Sequence, residues 1–186
     1  MKKRARSEEA NEAESLQARD PEKTRVRTLQ RAVKLLAAKP RSVGELRARL
    51  LEKSWATPEA VDAALGKLQE YGYLNDREFA RGFAAARVRQ KPMGQRRVAR
   101  DLAHKKIAKE TANEALEKVF NEMPEGELVE EAIARYTATR GRPATRQEAK
   151  RLFDFLLRRG FSIDLVIDKV RALSTKSIDE DTASSE

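Results

Sequence analysis

The chain has 186 residues, of which 37% are charged and 5% aromatic, and its formal net charge is +9 at pH 7. It contains no cysteine, which excludes disulfides, thiolate catalysis and thiol-ligated metals. No apolar run approaches the roughly 18 residues of a membrane span, and the charged start lacks the apolar core of a signal peptide. We therefore expect a cytoplasmic protein with no membrane contact, and the basic balance favours an anionic partner, nucleic acid first.

Both ends of the chain have the composition of disordered segments. Residues 1–24 are charged, mixed in sign and poor in large apolar side chains, which predicts a disordered N-terminal arm. Residues 174–186 are mostly acidic and small, which predicts a disordered acidic tail. We therefore place the folded and functional part between about residues 25 and 173.

Helix signals fill that folded part. Val26, Leu29, Val33 and Leu36 recur at helical spacing and predict the apolar face of a first helix, which Pro40 ends. Four later helices open on cap signals: Ser42 with Glu45, Thr57 with Pro58, Asn75 with Glu78, and Thr145 with Glu148. Gly72 is typical of a left-handed helix end. No segment alternates apolar and polar residues with a period of two, so we predict no strands.

An apolar pattern occurs three times along the chain. Each copy has two apolar residues four apart, a bulky residue five positions later, and a further pair nine or ten positions after that. The copies are Leu46, Leu50, Trp55, Leu65 and Leu68; Val98, Leu102, Ile107, Leu116 and Val119; and Leu152, Leu156, Phe161, Val170 and Leu173. The pattern predicts an all-α protein of three tandem three-helix repeats that form an elongated, curved helical body. We place the repeats at residues 25–74, 75–122 and 123–173.

The residue before each bulky residue is expected to end a helix, where a left-handed conformation favours glycine. Gly160 fits this expectation, whereas Lys106 stands at the same point of the second copy. If Lys106 is left-handed, the conformation costs up to about 1 kcal/mol relative to glycine.

Basic residues concentrate in the second repeat. Residues 77–106 contain ten Lys or Arg and only two carboxylates, Glu78 and Asp101. A run of charge is often only a solvated helix face, but phosphate contacts demand such a surface. We predict that DNA or an acidic protein surface is contacted by Arg81, Arg87, Arg89, Lys91, Arg96, Arg97, Arg100, Lys105 and Lys106. Base-specific reading is not expected, because the repeat has no Asn or Gln cluster and no evident pair of exposed aromatic side chains.

Nothing in the sequence has the pattern of a catalytic, metal or cofactor site. His104 is the only histidine, and we interpret it as a surface residue. No phosphate-cradling glycine loop is present among the eight glycines. Asp76 and Glu78 lie at a helix start, where carboxylates serve the cap and the helix dipole, although a partly buried arginine could also recruit Asp76. We predict a protein that is not an enzyme and binds no cofactor.

The segment YGYLNDREFA at residues 71–80, followed by Phe83 and Arg87, resembles the signature of the bacterial RecX family. Its continuation KPMGQRRV at residues 91–98 and the LLRRGF segment at 156–161 are also similar to that family. The resemblance covers about residues 26–173. Two positions depart from the family pattern, since Pro92-Met93 replaces a glycine–aromatic pair and Lys106 replaces a glycine.

The resemblance implies a regulator of RecA. Members of the family bind the RecA–single-stranded-DNA filament and usually inhibit recombination, ATP hydrolysis and coprotease activity, which restrains DNA repair by recombination and the SOS response. The positions that match the family signature are Gly72, Tyr73, Leu74, Asp76, Phe79, Arg87, Lys91, Gly94 and Arg97. We expect Tyr73, Leu74 and Phe79 to pack between the first two repeats, and Gly72 to permit the turn.

Two other functions are compatible with the sequence. Three-helix units can present a helix-turn-helix, so the protein could bind duplex DNA directly, and its basic block would in any case support non-specific binding. A helical adaptor whose charge only maintains solubility is the third interpretation. In each case we expect a monomer.

Overall fold

The computed structural model describes residues 20–183, with side chains described for residues 20–173. Over this range the protein is all-α, as the sequence predicts, and contains no strand. The nine helices described are α1 (Pro21–Ala38), α2 (Val43–Leu51), α3 (Pro58–Glu70), α4 (Asp76–Gln90), α5 (Gln95–His104), α6 (Lys109–Glu122), α7 (Glu125–Arg140), α8 (Arg146–Arg158) and α9 (Ile163–Ala183). None of these helices is both long and apolar enough to cross a membrane.

The two ends of the described chain are helical where the sequence predicts disorder. Helix α1 begins at Pro21, because Asp20 caps it by accepting hydrogen bonds from the backbone N–H groups of Glu22 and Lys23. Helix α9 continues to Ala183, inside the predicted acidic tail. The rest of the predicted arm, residues 1–19, lies outside the described residues, as do residues 184–186.

The predicted caps form with one exception. Thr57 Oγ1 accepts a hydrogen bond from Ala60 N at 3.3 Å, and Asn75 Oδ1 accepts from Arg77 N and Glu78 N at 3.0 and 3.2 Å. Thr145 and Glu148 complete a reciprocal capping box. At Ser42 only half of the predicted box forms. Ser42 Oγ accepts from Glu45 N at 3.0 Å, while the carboxylate of Glu45 binds Lys105 instead.

The predicted apolar face of α1 is confirmed only in part, since Leu29 and Leu36 are partly buried and pack against the core. Val26 and Val33 are 50% and 49% exposed, and the helix buries a stripe offset from them, formed by Thr24, Thr28, Ala32 and Leu35. The polar side chain of Thr28 is tolerated in this stripe because Thr28 Oγ1 donates to the backbone carbonyl oxygen of Thr24 at 2.7 Å. The small Ala32 side chain is fully buried in the core of α2 and α3, so close packing, and not side-chain hydrophobicity alone, determines which face of α1 turns inward.

The described chain forms two compact units. The first contains the residues up to Phe79 together with Lys105–Ile107, and the second contains Ala80–His104 and the residues from Ala108 onward. The core of the first unit consists of Ala32, Leu35, Leu46, Leu50, Val61, Leu65, Leu68 and Leu74. The repeated apolar positions of the first copy are therefore core residues, and Trp55 is only 8% exposed.

The second unit buries the repeated positions of the second and third copies up to Phe161, apart from Ile107, which belongs to the first unit and is 7% exposed. Those that are 2% exposed or less are Val98, Leu102, Leu116, Val119, Leu152, Leu156 and Phe161. The predicted final pair, Val170 and Leu173, is only partly buried, and Val166 on the same helix is fully buried.

A close contact between a helix start and a left-handed turn occurs once in each unit. In the first unit Gly44, in the first turn of α2, lies against Lys106, whose φ is 58°. In the second unit Gly94, just before α5, lies against Gly160, whose φ is 85°. Gly94 N donates to Arg159 O at 3.0 Å. Lys106 is thus left-handed, and the turn that glycine makes in one unit is made by lysine in the other.

Candidate functional site

Most of the predicted binding residues lie on α4, α5 and the turn between them. Helix α5 buries Val98 and Leu102 completely, Ala99 and Asp101 are partly buried, and the other positions of this short helix are exposed. Arg96, Arg97 and Arg100 are among these exposed positions. The amphipathic pattern of α5 therefore places three cations on one helix without any cost of burying charge.

Two of the predicted cations are held by one carboxylate. Asp101 Oδ2 accepts from Arg87 Nε at 3.0 Å and from Arg87 Nη2 at 2.7 Å, and Asp101 Oδ1 lies 3.2 Å from Arg97 Nε. The side chain of Asp101 is only 12% exposed. Arg87 thus links α4 to α5, and both guanidinium groups have a fixed position before any ligand arrives.

The other predicted cations of this region are exposed. Arg100 Nε donates to the backbone carbonyl oxygen of Arg96, one helical turn earlier, at 3.3 Å. We call the exposed predicted cations of α4, α5 and the turn between them the α4–α5 basic surface: Arg81, Arg89, Lys91, Arg96 and Arg100. Over the residues that the structure describes, none of these five side chains makes an ion pair.

Two arginines that the sequence analysis did not select extend the positive charge beside Arg97. Burial, together with the neighbouring charges of Arg135 and Arg97, lowers the pKa of the Arg159 guanidinium. Arg159 Nη1 donates to Pro92 O at 3.2 Å, and its guanidinium lies 4.9 Å from the ring centre of Phe155. Like charges this close together favour an anion nearby. No sequence signal indicated this, because Arg135 and Arg159 are distant from Arg97 in the chain.

Lys105 and Lys106 belong to the first unit and have structural contacts there. Lys105 Nζ lies 2.8 Å from Glu45 Oε1, and the carbonyl oxygen of Lys105 accepts a hydrogen bond from the buried hydroxyl of Ser42. Lys106 has an exposed side chain, but its Cβ would meet any side chain added at Gly44. These contacts hold the start of α2, and the ammonium of Lys105 is already paired with Glu45, whereas the exposed side chain of Lys106 stays a predicted contact.

The signature residues after α3 do not all pack inward. Gly72 has φ 73°, the left-handed cap that the sequence predicts, and Leu74 is buried at 3% exposure. Phe79 is half-buried. Tyr73, however, is 74% exposed and Tyr71 is 68% exposed. The predicted packing of Tyr73 is wrong. The two exposed tyrosines lie before the second repeat, the part of the chain for which no evident pair of exposed aromatic side chains was expected.

Asp76 caps a helix other than its own. Its Oδ1 accepts a hydrogen bond from Val43 N at 2.8 Å, at the start of α2, while Asn75 caps α4. Asp76 lies in the first turn of α4, where the sequence places it, but Asn75 and not Asp76 caps that helix. Burial raises the pKa of the Asp76 carboxyl, and the nearby charge of Glu45 raises it further, against the opposing effect of the hydrogen bond from Val43.

The remaining predicted positions have simple surroundings. Pro92, Met93 and Gly94 are buried, so the turn that departs from the family pattern is part of the core of the second unit. His104 is exposed, as predicted. Over the described side chains, no group of three or more His, Asp or Glu is arranged to hold a metal ion.

Two family models match consecutive segments of this chain. The model of the first three-helix domain of RecX matches residues 29–68, and the model of its second three-helix domain matches residues 75–116. The regulatory protein RecX of Thermus thermophilus is 35% identical over 140 residues, which cover 75% of this chain and 87% of that protein. That of Salmonella arizonae is 32% identical over 150 residues, covering 74% of this chain and 86% of that protein.

Solved structures share the fold. A crystal structure of RecX from Lactobacillus salivarius superposes with a TM-score of 0.71, covering 82% of this chain and 97% of that one at 17% sequence identity. The two relatives above exceed 30% identity over most of their own length, and their similarity includes the basic second repeat. The chain therefore belongs to the RecX family of regulatory proteins.

Proposed function

We propose that this protein binds the RecA–single-stranded-DNA filament and inhibits the recombinase, ATPase and coprotease activities of RecA. It would thereby regulate DNA repair and the SOS response. The protein acts by binding alone, as a cytoplasmic monomer with no chemistry and no cofactor of its own. The observation that carries the proposal is the α4–α5 basic surface in a chain of the RecX family.

The geometry favours a phosphate-rich or acidic partner. Arg96 and Arg100 are neighbours on α5, and Arg97 beside them is held in position by Asp101. Because Arg87 also binds Asp101, the pair Arg87 and Arg97 carries one unit of positive charge more than its carboxylate. Guanidinium groups in fixed positions lose little conformational entropy when they bind phosphate or carboxylate oxygens.

The experiment measures the single-stranded-DNA-dependent ATPase rate of RecA with increasing amounts of this protein. We expect inhibition that is complete near stoichiometric amounts. A variant in which Arg89, Lys91, Arg96 and Arg100 are replaced by Ser should inhibit at least about tenfold more weakly, since each lost charged contact typically costs about 1 kcal/mol or more. Unchanged ATPase rate and filament length in the presence of the wild-type protein would contradict the proposal.

A matched control removes the same charge elsewhere in the second unit. Lys109 and Lys118 on α6, and Arg146 and Lys150 on α8, are exposed and absent from the α4–α5 basic surface. Their replacement by Ser should leave inhibition within about twofold of wild type. If both quadruple variants lose inhibition equally, inhibition depends on the net charge of the protein and not on the α4–α5 basic surface.

The same protein preparation also tests the alternative function, which is direct binding to duplex DNA. The filament proposal predicts no preference for a particular duplex sequence, and affinity for any DNA that falls steeply with salt. Retained preference for one duplex site at high salt would favour a direct DNA-binding protein instead.

A further inference from the structure

A second cationic surface lies in the first unit, away from the basic run of the sequence. It is a groove of about 680 Å³ between one face of α1 and the loop that follows α2. This volume lies within the range of about 300–1,000 Å³ that is usual for small-ligand sites. The lining residues define what we call the α1 groove: Arg27, Gln30, Arg31, Lys34, Glu52, Lys53, Ser54 and Trp55.

The α1 groove is built by helical periodicity. The four lining residues from α1 stand at spacings of three and four, so they share one face of the helix. Three of these four are cations, and Lys53 adds a fourth from the opposite wall. The one carboxylate in the lining, Glu52, is bound by Arg49 at 2.5 Å. The groove therefore has an excess of positive charge that its own carboxylate does not neutralise.

Arg31 gives the α1 groove an unsatisfied hydrogen-bond donor. Its Nε is buried and has no hydrogen-bond partner within the part of the chain that the structure describes. Buried polar groups are almost always hydrogen-bonded, because leaving a donor unpaired costs free energy. A shift of the Arg31 side chain toward the groove would let this donor meet an acceptor oxygen there, and a phosphate group supplies several such oxygens.

The other end of the α1 groove is held in position by an aromatic contact. The guanidinium of Arg27 lies 4.2 Å from the ring centre of Trp55, within the range of a cation–π interaction. Trp55 itself is 8% exposed, so it forms a fixed wall. Lys34, Lys53 and Ser54 are exposed at the groove's open side, where a polymer can enter and leave.

From these observations we infer that the α1 groove binds phosphodiester groups of single-stranded nucleic acid. The inference rests on the proposed function, which supplies single-stranded DNA as part of the partner. It adds a contact in the first unit that is separate in the sequence from the α4–α5 basic surface. Because four cations surround one open groove, we expect about two phosphate contacts.

Trp55 provides a direct readout, because it is the only tryptophan of the chain. The full-length protein is titrated, without RecA, with a fluorescein-labelled oligo(dT) while anisotropy is measured, and with unlabelled oligo(dT) while tryptophan fluorescence is measured. We expect Trp55 fluorescence to change with the same midpoint as anisotropy. A binding curve that saturates without any change in Trp55 fluorescence would overturn the inference.

The groove variant is Arg31→Gln with Lys53→Gln, and its matched control is Lys39→Gln with Lys67→Gln, two exposed lysines of the same unit outside the groove. The salt slope, that is the steepness with which the logarithm of affinity falls with the logarithm of salt concentration, decreases by about 0.7 for each lost phosphate contact on a single strand. The slope of the groove variant should therefore be smaller by about 1.4. We expect the Kd of the groove variant for oligo(dT) to be at least about fivefold higher than that of the control. Equal affinity and equal slope in the two variants would overturn the inference.

Circular dichroism checks that the groove variant is folded. If it is not, Lys34→Gln with Lys53→Gln decides the question, because both side chains are exposed and Arg31 is kept. Inorganic phosphate is titrated in parallel. A response of Trp55 to millimolar phosphate but not to oligo(dT), or tighter binding of a duplex than of oligo(dT), would also overturn the inference.

Failure here and failure of the proposed function give different results. The titrations contain no RecA. If Trp55 fluorescence does not change with oligo(dT) while the protein still inhibits RecA, only the inference about the α1 groove is rejected. If the wild-type protein does not inhibit RecA, although its Trp55 fluorescence responds to oligo(dT), only the filament proposal is rejected.

Discussion

The backbones of Gly94 and Gly160 lie in direct contact in the second unit. A Cβ atom added at Gly94 would come within 2.2 Å of the carbonyl oxygen of Gly160, and one added at Gly160 would come within 2.4 Å of Arg97 N. Gly94 N donates to the neighbouring Arg159 O at 3.0 Å. The position of α5, and with it that of Arg96 and Arg97, therefore depends on the absence of two side chains.

Replacement of Gly94 by Ala should destabilise the protein. The clash is with backbone atoms, which cannot rotate away, so we expect a loss of about 1–3 kcal/mol in the free energy of unfolding. Gly82→Ala is the control, since Gly82 lies within α4 and no atom would lie within 4 Å of its Cβ. That variant should gain about 0.5–1 kcal/mol from the higher helix propensity of Ala. Urea unfolding measures both, and equal effects would contradict the structure.

The corresponding contact in the first unit predicts coupling between Gly44 and Lys106. Lys106→Gly should stabilise the protein by up to about 1 kcal/mol, because φ 58° strains a residue that has a Cβ. Gly44→Ala should destabilise it, since the new Cβ would lie 2.6 Å from Lys106 Cβ. In the double variant residue 106 has no Cβ, so the closest remaining neighbour of the Cβ added at Gly44 would be the carbonyl oxygen of residue 106, at 3.0 Å.

A double-mutant cycle measures the coupling. We expect Gly44→Ala to cost at least about 0.5 kcal/mol less in the Lys106→Gly background than in wild type, as is usual for residues in contact. Strict additivity of the two changes would show that the Cβ atoms do not meet.

Asp101 should have opposite effects on stability and on anion binding. Its carboxylate holds Arg87 and Arg97, and at 12% exposure it is largely shielded from water. Asp101→Asn removes the charge but keeps the size, so we expect a loss of about 1–3 kcal/mol of stability. The change also frees one positive charge, so non-specific affinity for oligo(dT) at low salt should rise. Thermal unfolding and fluorescence anisotropy measure the two effects. At low salt the freed charge should outweigh the lost positioning of Arg87 and Arg97, so a variant that loses both stability and affinity would show that positioning by Asp101 matters more.

The helical fold and most of the core follow from spacing in the sequence. Leu46, Val98 and Leu152 are each 0% exposed, because an i, i+4 apolar pair cannot be solvated without loss of free energy. The face of α1 followed only in part. Its buried stripe contains Thr24 and Thr28, and the hydroxyl of Thr28 is satisfied by a local hydrogen bond that the sequence does not reveal.

The site was less predictable than the fold, because its contacts join residues distant in the chain. Charge density identified the α4–α5 basic surface, but the role of Asp101 in holding Arg87 depends on how two helices pack. The bond from Val43 N to Asp76 spans 33 residues, so no local pattern could indicate it. The α1 groove was missed for a further reason. Its cations are spread over two segments, Arg27 to Lys34 and Lys53, whose local charge is diluted by neutral residues.

The hydrogen bond from Val43 to Asp76 gives a prediction with a defined pH dependence. The pKa of Asp76 in the folded protein is raised above its ordinary value of 3.8, so the folded state binds this proton more tightly than the unfolded state. The stability that Asp76 contributes in this way is complete below the unfolded pKa, and it is lost as pH rises through the folded pKa. Near neutral pH the buried negative charge, which also faces Glu45, is therefore unfavourable.

Asp76→Asn keeps an oxygen acceptor for Val43 N but cannot ionise. We expect its free energy of unfolding, relative to wild type, to increase between about pH 4 and about pH 7. Asp76→Ala also lacks the charge, but it leaves Val43 N at the start of α2 without its acceptor. It should therefore be less stable than Asp76→Asn by about 0.5–2 kcal/mol at every pH. Urea unfolding at several pH values measures both differences. A relative stability of Asp76→Asn that falls as pH rises would mean that the hydrogen bond to the ionised carboxylate outweighs its burial, and the assigned direction of the pKa would then be wrong.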